Sequence, residues 1–305
     1  MLKLGIIGYP LGHSLSPVMQ NVALKKLGID GSYVALETPP EKLAERIDFL
    51  KNEEFRGFNV TIPHKIEIMK YLDSIDNFAK VVGAVNTVVI DENKKFHGYN
   101  TDVYGFVQAI PEEIRENLAG KKAAVLGSGG AARAVLVGLI EIGIKEISIF
   151  ARNQEKSFEL KEVILKNFSD VKINCVLLGN CHCEEQSDEA ISSLVQSCDR
   201  DTSLAMTKLN LSGFSIVVNT TLLGMNGENQ EISPLSQESI STLPKDALVY
   251  DIVYKPQKTR LLEYAEKRGL KTLNGFEMLV LQGAKSFELW TGQKPPIKTM
   301  RESLF

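Results

Sequence analysis

The stretch that decides the fold is residues 121–143, KKAAVLGSGGAARAVLVGLIEIG. KKAAVLG has the composition of a buried strand, GSGGAA is a glycine-rich turn, and ARAVLVGLIEIG is an apolar helix that ends at Gly143. EISIFAR, residues 146–152, has the pattern of a second strand. Strand, glycine turn, helix and strand in this order predict a βαβ unit that binds a dinucleotide.

The turn carries the small residues that such a unit needs where it meets phosphate. Gly127 permits the tight turn, and Gly129 lets backbone N–H groups approach a pyrophosphate, whose charge the helix N-terminus favours. A glycine turn that binds nothing is the alternative, and the strand and helix on either side argue against it. The predicted cofactor contacts in the turn are Gly127, Ser128, Gly129, Gly130, Ala131 and Ala132.

The end of the second strand favours NADP over NAD. NAD sites usually place Asp or Glu here to bind the ribose hydroxyls. This chain has FARNQEK instead, with Arg152 and Lys156 as candidate ligands. A guanidinium can bind the extra phosphate of NADP through two hydrogen bonds, whereas a carboxylate would repel it. The alternative for Arg152 is a solvated surface arginine.

Composition and charge are those of an ordinary globular chain. The 305 residues are 44% hydrophobic and 24% charged, with a formal net charge of -3, which suits two packed domains. Neither nucleic acid nor a membrane surface is expected as a partner, and no apolar run reaches membrane-spanning length. Gly5, Gly8 and Pro10 interrupt the N-terminal apolar stretch, which predicts a first strand rather than a signal peptide and a cytoplasmic protein.

Strand and helix patterns alternate along the chain and predict an α/β protein of two domains with mostly parallel sheets. The expected domains are a substrate-binding and catalytic domain over 1–102 and a Rossmann-type NADP-binding domain over 103–274. A C-terminal helix within 275–305 is expected to return to the first domain.

Residues 174–208 predict a solvated, mobile insert, because periodicity fades there and all four cysteines fall inside. A zinc site would use Cys181, His182, Cys183 and Cys198. The CHC triplet lacks the usual spacer between ligands, and neighbouring side chains on an extended chain point to opposite faces. We therefore predict no metal site.

NVTIPHK, residues 59–65, is a candidate for the chemistry. Alternation puts Asn59 and Thr61 on one face of a strand, and a helix predicted over 64–72 would hold Lys65 in its first turn. Asp102 stands at the start of another predicted helix, where the dipole favours an anion. A lysine and a carboxylate around a substrate hydroxyl would form an acid–base pair. The alternatives are a surface lysine and a helix-capping aspartate.

Eight ordered motifs resemble the shikimate dehydrogenase family and cover nearly the whole chain except about 174–208. They are GHSLSPVMQN (12–21), GFNVTIPHK (57–65), GAVNT (83–87), GYNTD (98–102), LGSGGAARA (126–134), VVNTTLLGM (217–225), YDIVYKPQKTRLL (250–262) and NGFEMLVLQGAKSFELWTG (274–292). The resemblance implies reversible reduction of 3-dehydroshikimate by NADPH, with Lys65 and Asp102 as the catalytic pair.

The resemblance also implies roles for other polar residues. Ser14 and Ser16 match residues that bind the substrate carboxylate, and Tyr254 matches a residue near that group. The positions matching residues that hold the ring hydroxyls or the carboxylate are Asn59, Thr61, Asn86 and Gln282. Those matching the nicotinamide and cofactor cleft are Thr220, Ile252, Gly275 and Met278. His13 and His64 match no catalytic position.

Two departures from the family pattern lie near the adenosine side. Ala151 stands where the family usually has Asn, and Lys156 stands where it usually has Arg. The first removes one expected hydrogen bond, and the second keeps the charge without the planar fork.

Three alternative functions remain to be weighed. A quinate/shikimate dehydrogenase using NAD is disfavoured by Arg152, and a non-catalytic shikimate-binding regulator by the presence of both Lys65 and Asp102. A methylene-tetrahydrofolate-type dehydrogenase is disfavoured by Ser14 and Ser16 and by YDIVYKP. The chain is expected to be a monomer or a homodimer.

Overall fold

The computed structural model describes residues 1–12, 14–178, 195–197, 208–227 and 229–305. The chain forms two compact units. Unit 1 comprises Met1–Ala109 and Glu277–Phe305, and unit 2 comprises Ile110–Phe276. The units thus divide after residues 109 and 276, whereas the sequence suggested boundaries after 102 and 274.

Unit 1 is built on a six-stranded mixed sheet. Its strands are β1 (Leu2–Gly8), β2 (Gly31–Glu37), β3 (Phe55–Val60), β4 (Ser74–Ile75), β5 (Thr87–Ile90) and β6 (Phe96–Tyr99), in the order β2-β1-β3-β5-β6-β4. β1 pairs in parallel with β2 and β3, and β4 with β6, whereas β5 is antiparallel to β3 and β6. Apolar residues of β1, β3 and β5, among them Ile7, Phe58 and Val88, are fully buried and make the core of this sheet.

Unit 2 has a parallel six-stranded sheet. Its strands in chain order are β7 (Lys122–Leu126), β8 (Glu146–Ala151), β9 (Lys172–Leu177), β10 (Val195–Ser197), β11 (Lys208–Leu209), β12 (Ile216–Asn219), β13 (Leu248–Asp251) and β14 (Lys271–Leu273). The large sheet has the order β14-β13-β12-β7-β8-β9, and β10 and β11 form a separate antiparallel pair. This order places two halves on either side of β7, the arrangement of a Rossmann domain.

The helices in chain order are α1 (Ser16–Lys26), α2 (Leu43–Asn52), α3 (Asn77–Val82), α4 (Asp102–Ala109), α5 (Glu112–Leu118), α6 (Gly130–Glu141), α7 (Gln154–Leu165), α8 (Gln237–Ser241), α9 (Arg260–Lys267), α10 (Phe276–Thr291) and α11 (Ile297–Glu302). Short 3₁₀ helices cover Pro40–Lys42 and Glu67–Tyr71. The predicted βαβ unit is therefore β7, α6 and β8, and the prediction of an α/β chain with two mostly parallel sheets is confirmed. No helix among the residues with described structure is long and apolar enough to cross a membrane.

The prediction of an α-helix over 64–72 is wrong. Turns follow β3, and only Glu67–Tyr71 are helical, in a 3₁₀ conformation. The carbonyl oxygen of Lys65 accepts a hydrogen bond from Val85 N (2.8 Å), so Met69 N bonds to Ile66 O instead (3.2 Å). A tertiary contact thus takes the acceptor that an α-helix would need.

The prediction that the insert begins at residue 174 is also wrong. Residues 174–177 belong to β9 and pair with β8, and Leu178 packs against the core of unit 2. The proposed ligands Cys181, His182, Cys183 and Cys198 lie outside the described residues, as does His13.

Candidate active site

The segment after β3 carries Lys65 and is fixed by backbone hydrogen bonds on two sides. Thr61 N donates to Ile7 O at the end of β1 (2.9 Å), and Val85 N donates to Lys65 O (2.8 Å). Lys65 is therefore placed beside the carboxyl ends of β1 and β3 by tertiary hydrogen bonds. Its position does not depend on the helix that the sequence predicted over 64–72.

Asp102 is the first residue of α4, and Asn100 caps this helix. The side-chain Oδ1 of Asn100 accepts hydrogen bonds from Asp102 N (3.0 Å) and Val103 N (3.4 Å). Because Asn100 satisfies these donors, the carboxylate of Asp102 is left for other partners at the positive end of the helix dipole.

Lys65 and Asp102 meet directly. Lys65 Nζ donates to Asp102 Oδ2 at 2.6 Å, and their side chains are only 15% and 8% exposed. The structure thus brings the predicted pair together although 37 residues separate them in the chain. An ammonium and a carboxylate in contact at a partly open position can pass a proton to or from a substrate oxygen.

Asn86 holds the other oxygen of the carboxylate. Its Nδ2 donates to Asp102 Oδ1 (2.9 Å), and its Oδ1 accepts from Thr101 N (2.7 Å). Gln282 Oε1 lies 3.4 Å from the same Nδ2. Both carboxylate oxygens of Asp102 therefore have a defined donor before any substrate arrives.

Gln282 reaches this site because α10 packs closely on α4 at a glycine. A Cβ atom added to Gly105 would lie 2.7 Å from Met278 O and 2.8 Å from Gln282 Cβ. Any side chain here would push the two helices apart, and Gln282 would move away from Asn86.

The amide of Asn59 is engaged within the protein. Asn59 is 5% exposed, and its Nδ2 lies within hydrogen-bond distance of Asn86 O (3.1 Å), Thr87 Oγ1 (3.1 Å) and Ser286 Oγ (3.0 Å). Burial raises the pKa of the Tyr33 phenol, which stays protonated and donates to Asn59 Oδ1 (2.7 Å). The Asn59 amide thus belongs to a buried hydrogen-bond network, and the role of Asn59 in holding the substrate stays a prediction.

Sequence reasoning missed four members of this network, namely Tyr33, Thr87, Thr101 and Ser286. The two threonines lie inside the GAVNT and GYNTD motifs, which was a usable signal. Tyr33 and Ser286 stand in segments where nothing local distinguishes them from core residues.

The two serines predicted to bind the substrate carboxylate, Ser14 and Ser16, lie at the start of α1. Ser16 is its first residue and is 6% exposed, and Ser16 N lies 3.4 Å from Ser14 Oγ. Thr61 is half-buried after β3, and His64 is 2% exposed with Nε2 2.6 Å from Thr38 O. Tyr254, the remaining predicted substrate residue, belongs to unit 2, where burial raises its pKa.

The glycine turn of unit 2 has the geometry expected of a phosphate cradle. Gly127 has φ +105°, which glycine adopts without strain, and its N–H donates to Phe150 O (2.8 Å). Gly129 precedes α6 with no side-chain cap, and a Cβ added there would meet no atom within 4 Å. The first N–H groups of α6 thus have no side-chain cap, and the space beside Gly129 is open, a combination that fits a pyrophosphate.

The positive residues after β8 flank the start of α7. Asn153 Oδ1 accepts a hydrogen bond from Lys156 N (2.9 Å) and caps this helix. Arg152 and Lys156 are exposed, and within the described part of the chain neither forms an ion pair. Both charges are thus free to bind an anionic group.

The four predicted residues of the cofactor cleft divide between the units. Thr220 Oγ1 donates to Leu126 O (2.7 Å), and Ile252 N donates to Asn219 O (3.1 Å) at the carboxyl ends of the parallel strands. Gly275 lacks the Cβ that would overlap the backbone of Ile252. These three residues lie in unit 2, whereas Met278 lies on α10 in unit 1.

Known proteins resemble this chain along its whole length. Residues 6–88 match the family model described as the shikimate dehydrogenase substrate binding domain, and residues 275–305 match the shikimate 5'-dehydrogenase C-terminal domain. The chain is 40% identical over 301 residues to the shikimate dehydrogenase (NADP(+)) of Methanococcus aeolicus. The aligned region covers 99% of this chain and 96% of that protein. A crystal structure of a shikimate dehydrogenase in complex with NADP+ matches with TM-score 0.82 and 36% identity, over 100% of this chain and 94% of that one. The enzyme of Thermus thermophilus in complex with NADP(H) and shikimate matches with TM-score 0.76 and 33% identity, over 99% and 98%.

Proposed function

Because this chain belongs to the shikimate dehydrogenase family, we propose that it reduces 3-dehydroshikimate reversibly to shikimate with NADPH. The observation that carries the proposal is the direct contact between Lys65 Nζ and Asp102 Oδ2, with Asn86 on the second carboxylate oxygen. This arrangement argues against a non-catalytic binding protein, because such a protein would not need a charged pair at a substrate oxygen.

NADPH, when bound, supplies the hydride for the carbonyl carbon. Lys65 holds the proton that the carbonyl oxygen takes up as it becomes a hydroxyl. Asp102 keeps the lysine ammonium in position and offsets its charge, and Asn86 fixes the carboxylate. In the reverse direction the neutral amine of Lys65 accepts the hydroxyl proton of shikimate while Asp102 holds the lysine in place. Each of these groups is placed by the fold before the reaction, which reduces the cost of orientation.

Neutral side chains bind the rest of the substrate. We assign the substrate carboxylate to Ser14 and Ser16, and the ring hydroxyls to Thr61 and Gln282, whereas the Asn86 amide is taken up by Asp102 and the two threonines beside it. A site built to hydrogen-bond hydroxyl groups rejects analogues that lack them, because its own polar groups would then be left unpaired.

NADP fits unit 2 better than NAD does. The open turn at Gly129 receives the pyrophosphate, and Arg152 and Lys156 bind the 2'-phosphate. The exposed positive charges of these two side chains argue against the NAD-dependent alternative. Thr220, Ile252 and Gly275 lie at the carboxyl edge of the sheet, where such domains bind the nicotinamide half. The cytoplasmic location and the choice between monomer and homodimer remain predictions from the sequence.

A spectrophotometric assay of shikimate and quinate, each with NADP and with NAD, tests the proposal. We expect the highest kcat/KM for shikimate with NADP. Lys65→Ala should lower kcat by about 10²–10⁴-fold, the range for losing an acid–base group, with a smaller change in shikimate KM. Lys70→Ala is the matched control, since Lys70 is 71% exposed and pairs with Glu67 on the surface.

Two outcomes would contradict the assignment. Absence of shikimate-dependent NADP reduction by the parent chain would refute the function. Near-normal turnover in Lys65→Ala would leave the function standing and remove Lys65 from its role.

A further inference from the structure

The amide of Asn86 is held in one orientation by donors on one side and an acceptor on the other. Thr101 N lies 2.7 Å and Thr87 Oγ1 3.0 Å from Asn86 Oδ1, whereas Asn86 Nδ2 faces Asp102 Oδ1 at 2.9 Å. A flipped amide would set its oxygen against a carboxylate and its NH₂ against a backbone N–H. The orientation that stabilises Asp102 therefore depends on the donors at Oδ1.

Thr87 supplies the side-chain donor that is free for this task. It is the first residue of β5, is fully buried, and accepts from Asn59 Nδ2 (3.1 Å). Its single proton can reach Asn86 Oδ1, Ser286 Oγ (2.8 Å) or Thr101 Oγ1 (3.3 Å).

The other two hydroxyls have partners of their own. Ser286 Oγ lies 3.1 Å from Gln282 O, an acceptor one turn back on α10. Thr101 Oγ1 accepts from Asn86 Nδ2 (2.9 Å), and its own proton can go to Ser286 Oγ (3.1 Å) or to Asn86 Oδ1 (3.2 Å). Because this hydroxyl already accepts from the same amide, we assign its proton to Ser286 Oγ. With these bonds made, the proton of Thr87 goes to Asn86 Oδ1, and every member of the cluster is satisfied.

We propose that Thr87 is a positioning residue whose hydroxyl fixes the Asn86 amide and, through it, the carboxylate that meets Lys65. Thr87 is 0% exposed and so does not touch substrate. Its effect passes from Thr87 Oγ1 to Asn86, then to Asp102 Oδ1, and leaves Asp102 Oδ2 for Lys65. This inference rests on the proposed function and adds a residue that acts behind the reacting groups.

Threonine-to-valine and threonine-to-serine substitutions separate the hydroxyl from the methyl group. Thr87→Val keeps the shape and removes the donor, and we expect kcat to fall about 10- to 100-fold while shikimate KM changes less than about threefold. Thr87→Ser keeps the donor and should retain kcat within about threefold, although loss of a buried methyl should lower its thermal midpoint. A purely structural role would make activity follow stability in both variants.

Two further variants sharpen the comparison. Thr291→Val removes a hydroxyl that bonds Phe287 O (2.8 Å) on the same helix as Ser286 but outside the cluster, and should leave kcat unchanged. If Thr87→Val is insoluble, Thr87→Ala replaces it in the comparison with Thr87→Ser.

The assay is shikimate oxidation with NADP, with kcat and KM determined separately. The inference is overturned if an active parent loses less than about threefold in kcat on removal of the Thr87 hydroxyl. It is equally overturned if Thr87→Ser or Thr291→Val falls as far as Thr87→Val. A parent chain that does not oxidise shikimate would overturn the proposed function and this inference together.

Discussion

Replacement of Asp251 by asparagine should remove a pH-dependent cost to the stability of unit 2. Asp251 ends β13 and is 0% exposed. Thr259 Oγ1 donates to its Oδ2 (2.6 Å), and Asn219 Nδ2 donates to its Oδ1 (2.9 Å). Burial raises the pKa of Asp251 from 3.8 to about 6, although these hydrogen bonds favour the charged form and oppose the rise.

The size of the effect follows from this pKa. The rise from 3.8 to about 6 corresponds to about 3 kcal/mol, because one pKa unit is about 1.4 kcal/mol. The folded state binds the proton more tightly than the unfolded state, so this carboxyl lowers the free energy of unfolding as pH rises from about 4 to about 6. Above that range the cost is fully present. In Asp251→Asn the group does not titrate, so the variant should gain up to about 3 kcal/mol on the parent between pH ~4 and ~7.

Urea unfolding followed by circular dichroism over this pH range measures the difference, and amide exchange of β13 reports it locally. Asp246→Asn is the control, since Asp246 is an exposed acid of the same unit. The control should show no comparable trend. A difference between Asp251→Asn and parent that stays constant from pH ~4 to ~7 would refute the reasoning, because titration of a buried carboxyl must change with pH.

Other predictions concern the cofactor, the helix contact and the cysteines. Arg152→Asp should raise KM for NADP by about tenfold or more with little change for NAD, because it sets a like charge against the phosphate. Arg268→Asp, which changes another exposed arginine, is the control. Equal use of NADP by the parent and by Arg152→Asp would exclude Arg152 as the phosphate ligand. Gly105→Ala should destabilise the protein by about 1–3 kcal/mol and lower kcat, because its Cβ would meet Met278 O at 2.7 Å, whereas Gly213→Ala, with no atom within 4 Å, should do neither. Metal analysis of the full-length chain should find no stoichiometric zinc, and one tightly held zinc per chain would contradict this. Replacement of the residues between Leu178 and Thr207 by a short Gly/Ser linker should leave shikimate oxidation largely intact, because loop-closure entropy grows slowly with length. Inactive protein after this deletion would contradict that expectation.

The parts of the fold that were predictable carry their information locally. The unit of β7, α6 and β8 is readable because a buried strand, a glycine turn and an apolar helix follow one another within about 30 residues. The helix expected over 64–72 failed for the opposite reason. The hydrogen bond from Val85 N to the carbonyl oxygen of Lys65 replaces the one that an α-helix would form. Val85 lies 20 residues further along the chain, so the sequence near Lys65 does not reveal this contact. The same contact fixes the lysine where Asp102 can meet it, so the failed helix and the formed site have one cause.

The burial of Asn59 is likewise caused by a segment that is distant in the sequence. Alternation along β3 correctly puts Asn59 on a polar face, but it does not say what covers that face. The answer is α10, which begins more than 200 residues later and approaches through two glycines, Gly57 under Trp290 and Gly105 beside Gln282. Trp290 Nε1 anchors the helix on Val88 O (2.9 Å). Since α10 brings Ser286 onto the Asn59 amide, Asn59 becomes an interior residue, whereas the Lys65 side chain stays 15% exposed. The two residues of the NVTIPHK segment thus differ in access: the Asn59 amide lies in the interior, whereas the Lys65 ammonium keeps a path to solvent.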